Sequence, residues 1–481
     1  METFTTTALG KTELNTIEPL NIEAILKGKF HDYLARPARK LPLDGLIGHG
    51  ILTADGVVWK RHRTLMKSSF SRKRLEDFSM YEDHVQNLIG HIPSDGSPVD
   101  LQELFFSLTM DMSTDHLFGL SCSSLAPTSE LSPTPDFGIS FDRAQRAAVV
   151  KFALGSFDNL RPQPQYWADT KRVRQYADDY IHKALDRTSP MESISGNLAE
   201  SVTKSHSCDP PRKANVLESF AEQSDSLEEI RAGLLHLLVA GRDTTASLLS
   251  NLFISLAREP RAWRKLRAEV ATLNGVQPDA ATLKQMPYLR QCIDESLRCH
   301  PPVPWALRIA ARDTTLPTGG GKDQQSPILV EEGTLVLVPL YCLHRHSDFW
   351  GADADNFVPE RWDTVKPGYA YLPFLAGVRK CLGWEFAVNT AAYVLVRLVQ
   401  QFPELETGDC RPWAEELGLT MTSANGARVI LRTAACAQWS QRLAAFIIAV
   451  ERLIFTRRLG CATFSPSHAK HFRALSDHLQ L

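Results

Sequence analysis

The run Phe374-Leu375-Ala376-Gly377-Val378-Arg379-Lys380-Cys381-Leu382-Gly383 constrains this chain more than any other stretch. It sets one cysteine between two glycines directly before the helical pattern of residues 384–398. At the mouth of a helix, backbone N–H groups and the positive end of the dipole favour a thiolate, and a thiolate is a nucleophile or a metal ligand. Gly377 and Gly383 remove side chains where a flat, bulky group has to approach the backbone, and Arg379 supplies a fixed cation for a carboxylate. Phe374 offers an apolar lid that keeps water off the sulfur. For a lone cysteine the ordinary alternative is a buried structural residue in a turn, and read as bare chemistry that alternative stays open.

The chain of 481 residues is 43% hydrophobic and 22% charged, which excludes the disordered, collagen-like and small disulfide-stapled classes. A formal net charge of -2 leaves no basic footprint for nucleic acid, so no nucleic-acid partner is expected. Nine cysteines, an odd count without CxxC pairs or metal-ligand spacing, point to a reducing compartment. No uninterrupted apolar stretch reaches the roughly 18 residues of a transmembrane helix. Residues 1–10 are Thr-rich and polar and do not read as a signal peptide, so the chain is expected to start at or inside a folded domain.

Helical periodicity dominates residues 59–75, 101–118, 227–258, 260–270 and 289–299. Strand-like runs follow turn signals at 335–340 and 427–431. Residues 316–326, with the triplet Gly319-Gly320-Gly321, read as a turn or exposed loop, and 189–214 as a mobile surface loop. The expected fold is mainly α, a large helical domain with a smaller β-rich region. Residues 432–481 are basic, and 446–455 read either as an amphipathic helix on a membrane surface or as a poorly ordered appendage.

The spacing Phe-x-x-Gly-x-Arg-x-Cys-x-Gly resembles the cysteine-ligand loop of the cytochrome P450 superfamily, with every defining position filled. Three further motifs stand around it in the family's order. Glu295-Ser296-Leu297-Arg298 resembles the Glu-x-x-Arg of a helix whose i and i+3 side chains share a face. Asn356-Phe357-Val358-Pro359-Glu360-Arg361-Trp362 resembles the region whose Arg361 completes a buried network with Glu295 and Arg298, locking the cysteine loop. Ala240-Gly241-Arg242-Asp243-Thr244-Thr245 resembles the helix that crosses the distal side of the haem. The bland readings of these motifs are a solvated ion pair and a polar helix face.

The resemblance spans roughly residues 4–431 and implies the cytochrome P450 fold, with residues 1–431 as the catalytic domain and 432–481 as an atypical extension. It implies heme b, with Cys381 as the axial thiolate that ligates the iron and Trp59, Arg63, Arg308, Phe374, Gly377, Arg379 and Gly383 around the cofactor. Arg63, Arg308 and Arg379 would answer the two propionates. Thr244 would manage dioxygen and a water, while Asp243 would feed protons from solvent. The implied reaction is hydroxylation of a C–H bond by O2, with NADPH used indirectly through NADPH-cytochrome P450 reductase.

Residues 111–119, 240–245, 312–321 and 341–362 are similar to fungal microsomal n-alkane and fatty-acid hydroxylases, so the implied substrate is a long-chain fatty acid, an alkane or a lipid-like secondary-metabolite intermediate. Pocket walls are expected at 41–53, 144–157, 237–244, 303–307 and 420–423, with the bulk of Trp305 narrowing the space. Two other readings are an electron-independent haem-thiolate isomerase or dehydratase, and a truncated, non-catalytic relative. The intact Asp243 and Thr244 argue against the first, the complete core motifs against the second. The resemblance implies the cytosolic face of the endoplasmic reticulum membrane. The chain as read carries no anchor and allows a cytoplasmic location with peripheral membrane association.

Overall fold

The computed structural model describes residues 2–8, 11–35, 43–125, 136–154, 158, 162–188, 215–224 and 226–433. The surface loop expected at 189–214 and the extension from 434 onward lie outside the described residues.

The helix Leu227–Arg258 is the axis of the molecule, and its length of 32 residues corresponds to about 48 Å of rise. It begins where the Ser226 hydroxyl accepts from the Glu229 amide at 3.3 Å. Ile230, Leu234, Leu238, Leu248, Leu252 and Leu256 are all buried along it, so the helix is apolar nearly all round and packs on every side. Leu101–Phe118 runs beside it, capped by the Asp100 carboxylate on the Gln102 amide at 3.0 Å. Pro287–Cys299 and Trp384–Gln401 bury their apolar faces into the same core, which includes Leu289, Ile293, Leu395 and Leu398. A second core gathers Asp136–Leu154 and Pro164–Thr188 around the first half of the long helix.

The minor region is a five-stranded sheet in the order Thr3–Ala8, Lys11–Thr16, Leu335–Val338, Ala306–Ala310, Tyr33–Leu34. Lys11–Thr16 and Leu335–Val338 pair in parallel, and the remaining pairs are antiparallel. Arg308 sits opposite Val336 in that sheet. The short hairpin Glu415–Leu417 with Met421–Ser423 turns through residues 418–420 onto the cavity described below. Among the described residues no helix is long and apolar enough to cross a membrane.

Three differences from the sequence reading have physical causes. The helical run 59–75 is three pieces, Gly56–Lys67, Ser68–Phe70 and Arg72–Leu75, because Ser71 takes an extended conformation between them. The loop expected at 316–326 is a hairpin of Thr314–Gly320 with Ser326–Val330, its glycines carried into the strand by backbone pairing. The strand expected at 335–340 ends at Val338, ahead of Pro339, and Leu340–Leu343 turns helical. The Thr-rich start is a strand, with Thr3 bonded to Thr16 through their hydroxyls at 2.8 Å.

Candidate active site

Where these two cores meet the five-stranded sheet, a cavity of about 430 Å³ opens between the long helix and the cysteine loop. Leu43, Ile51, Leu52, Ala148, Leu237 and Val239 form part of its largely apolar wall, with Trp305 and Leu419 on another side. Each segment expected as a pocket wall contributes at least one residue. Trp59, Arg63, Thr244, Arg308, Phe374, Arg379, Cys381 and Gly383 all border the same space.

Cys381 reaches the cavity from a loop held by its own backbone. Its amide donates to the Phe374 carbonyl at 3.0 Å, and the Leu375 amide to Leu372 at 3.1 Å. Leu375 adopts φ 55, a left-handed conformation that a bulky residue takes only when its surroundings impose it. The sulfur is open to the cavity yet enclosed by protein. Burial therefore pushes the Cys381 thiol up, against the opposing pull of the Gly383 amide and of Arg63 and Lys380. Burial thus opposes the thiolate that the helix mouth favours. A cationic centre facing the sulfur would ionise it.

Of the two glycines, Gly377 departs from expectation and Gly383 does not. Gly377 has φ 68, and a Cβ there would collide with the Leu26 carbonyl oxygen. It lets the cysteine loop sit on the chain at Leu26 and does not border the cavity. Gly383 borders the cavity, and a Cβ on it would meet the Phe70 ring at 3.2 Å.

Three guanidinium groups line one edge. Arg63 donates to the Lys380 carbonyl at 3.1 Å and lies 5.5 Å from the centre of the Trp59 ring. Burial pulls its pKa down, the signature of a cation short of counter-charge. Arg308, 2% exposed in the five-stranded sheet, donates to the Leu307 carbonyl at 2.8 Å. Arg379 lies over Trp59 at 4.6 Å and is paired with Asp55, while also donating to the Ala54 carbonyl at 2.9 Å. The expectation of three cations for two carboxylates is thereby modified, because Arg379 reaches the edge already neutralised. An apolar cavity with a thiol on one wall and arginines at its rim suits a flat hydrophobic macrocycle bearing carboxylates, so the residues present fit haem.

On the opposite wall, Thr244 donates its hydroxyl to the Ala240 carbonyl one turn back at 2.6 Å. Asp243 does not border the cavity. Its carboxylate turns to Arg242 at 3.0 Å, and Arg242 is also paired with Asp142 of Asp136–Leu154. Burial pushes the Asp243 carboxyl up to about 6, and Arg242 pulls against it. Asp142 is partly exposed, so this acid connects the helix beside Thr244 with the surface through one guanidinium.

Glu295, Arg298 and Arg361 form a buried cluster. Arg298 grips Glu295 with two bonds of 2.8 and 2.9 Å, and Arg361 donates to the same carboxylate at 2.8 Å. Trp362 Nε1 and the Val358 amide add bonds of 3.0 and 2.8 Å. The link onward runs through His344. Arg298 donates to its carbonyl at 2.9 Å, and its ring accepts from the Leu372 amide at 2.9 Å, at the entrance of the cysteine loop. His344, Asp55 and Asp142 were not foreseen, since each acts through partners distant in sequence.

The family described as Cytochrome P450 matches residues 2–427 of this chain. Cytochrome P450 monooxygenase fsdH of Fusarium heterosporum is 40% identical over 430 residues, covering 88% of this chain and 74% of that protein. Cytochrome P450 52A4 of Candida maltosa is 37% identical over 443 residues, covering 88% and 79% respectively. Among solved structures, the cytochrome P450DA heme domain superposes with a TM-score of 0.70 at 22% identity, covering 90% of this chain and 89% of that one. That likeness shows the fold, and the family match with its relatives decides the rest: the chain belongs to the cytochrome P450 family, as a monooxygenase.

Proposed function

We propose that this monooxygenase hydroxylates an elongated apolar substrate, a long-chain fatty acid or alkane or a lipid-like secondary-metabolite intermediate. One oxygen atom of O2 enters a C–H bond and the other leaves as water. The two electrons come from NADPH through NADPH-cytochrome P450 reductase, and the oxygen that becomes water takes up the protons. The cavity carries the reading, since its largely apolar lining includes both Cys381 and Thr244. The family implies haem held by a cysteine thiolate, and bound haem supplies the redox centre at which dioxygen is activated.

Cys381 would ligate the iron, Arg63 and Arg308 would take the carboxylates, and Arg379 would help while still paired with Asp55. Phe374 and Leu375 keep bulk water from the sulfur side. Thr244 presents its hydroxyl oxygen to the cavity as an acceptor while its proton is committed to Ala240. Asp243, with a carboxyl near 6, takes up and releases protons near neutral pH behind that hydroxyl. This acid and hydroxyl pair favours monooxygenation over electron-independent isomerisation. The cytosolic face of the endoplasmic reticulum membrane, reached by peripheral association, belongs to the same proposal, as does a domain boundary at 431.

Reconstitution with the reductase tests it, offering fatty acids, alkanes and lipid-like intermediates. The expected result is NADPH consumption matched by hydroxylated product, with Thr244→Ala diverting NADPH into peroxide. Product formed without NADPH would overturn the proposal.

A further inference from the structure

The loop of residues 48–53 supplies Ile51 and Leu52 to the cavity wall, and it is closed mostly by its own bonds. The Thr53 amide donates to Gly50 at 3.1 Å, the Gly50 amide to the Thr53 hydroxyl at 3.0 Å, and that hydroxyl to the Gly48 carbonyl at 2.8 Å. A turn bonded in this way moves as a unit. His236, on the long helix, meets it with both ring nitrogens. The Leu52 amide donates to Nδ1 at 3.2 Å, and Nε2 lies 3.2 Å from the Gly48 carbonyl oxygen. An amide can only donate, so Nδ1 carries no proton and Nε2–H donates to Gly48. Burial holds His236 at a pKa of about 3, which keeps this neutral tautomer in place.

Gly50 makes the approach possible. A Cβ there would stand 2.6 Å from two atoms of the His236 ring, so any larger residue drives the loop and the helix apart. His236 also borders the cavity itself, eight residues before Thr244, or about 12 Å along the helix axis. The tie therefore lies far from the reacting end, where the remote end of an elongated substrate would come.

We propose that His236 is a specificity-determining residue that clamps the 48–53 loop to the long helix and so limits the length of substrate the cavity accepts. The inference rests on reading this cavity as the substrate cavity. His236 acts as a positioning residue for Ile51 and Leu52. Releasing either ring bond frees the wall to move outward without touching Cys381 or Thr244.

The test uses the full haem-loaded chain and a homologous series from N-butylimidazole to N-dodecylimidazole. These ligands bind the iron through the imidazole and extend an alkyl tail into the cavity, whatever the natural substrate is. His236→Leu removes both bonds at similar volume, and Gly50→Ala forces the same opening from the loop side. Both variants should raise the ratio of dodecyl to butyl affinity by roughly tenfold. A general loss of stability would weaken the whole series alike and leave the ratio unmoved. Hydrogen exchange at the Leu52 amide should be slow in the parent and fast in both variants. An unchanged ratio, or fast exchange in the parent, would overturn the clamp. A parent chain that loads no haem would instead defeat the reading of the cavity, and the exchange measurement would still decide whether the clamp exists.

Discussion

Asp243 holds a carboxyl that burial pushes up to about 6 although Arg242 stands 3.0 Å away. The folded value lies above the ordinary carboxylate value, so the stability from this group is fully present below about 4 and is lost as pH rises through 6. The difference corresponds to about 3 kcal/mol. Asp243→Asn should therefore flatten the chain's stability between pH 4 and 6, and denaturant titrations of the two proteins across that range measure it. Parallel curves would show that Arg242 compensates the charge completely. The motif around Asp243 was legible in the sequence, but its orientation was not. Adjacent helical residues point about 100° apart, and only packing decides that Thr244 faces the cavity while Asp243 turns to Arg242. Cys381 shows the same limit, since a sequence displays the helix mouth and hides the burial that opposes it.

Between elements, the cluster of Glu295 ties Pro287–Cys299 to Pro359–Asp363 and, through His344, to the cysteine loop. Glu295→Gln leaves the buried Arg298 guanidinium without its anion and Arg361 with Asp353 alone, and should cost about 3 to 5 kcal/mol. Thermal unfolding and haem retention should fall together, and a variant that kept both would remove the cluster from the account. Gly377→Ala combines a collision at the Leu26 carbonyl with a left-handed φ of 68. It should cost about 2 to 4 kcal/mol and loosen the loop, read as a lower melting temperature. Wild-type stability in that variant would mean the loop can shift off Leu26. The pairing of Glu295 with Arg298 was readable from the i and i+3 spacing. That of Gly377 with Leu26 was not, because the contact joins segments about 350 positions apart and leaves no local pattern.

Across the whole molecule, the long helix was readable to the residue because its apolar pattern is sustained over 227–258. The sheet was not, since Lys11–Thr16 gains its strand character by pairing with Leu335–Val338, which no short window of sequence contains. The cavity inherits both kinds of information. Its thiol and hydroxyl come from contiguous motifs, whereas its rim charge, with Arg379 held by Asp55, comes from the fold.

The proposed reaction requires haem held through the sulfur of Cys381. The absorption spectrum of the dithionite-reduced, carbon-monoxide-bound protein tests it most directly, recorded for the parent chain and for Cys381→His. The parent should show a strongly red-shifted Soret band, and the variant a histidine-type band in its place. A red-shifted band that survives the substitution, or a parent band typical of neutral ligation, would contradict it.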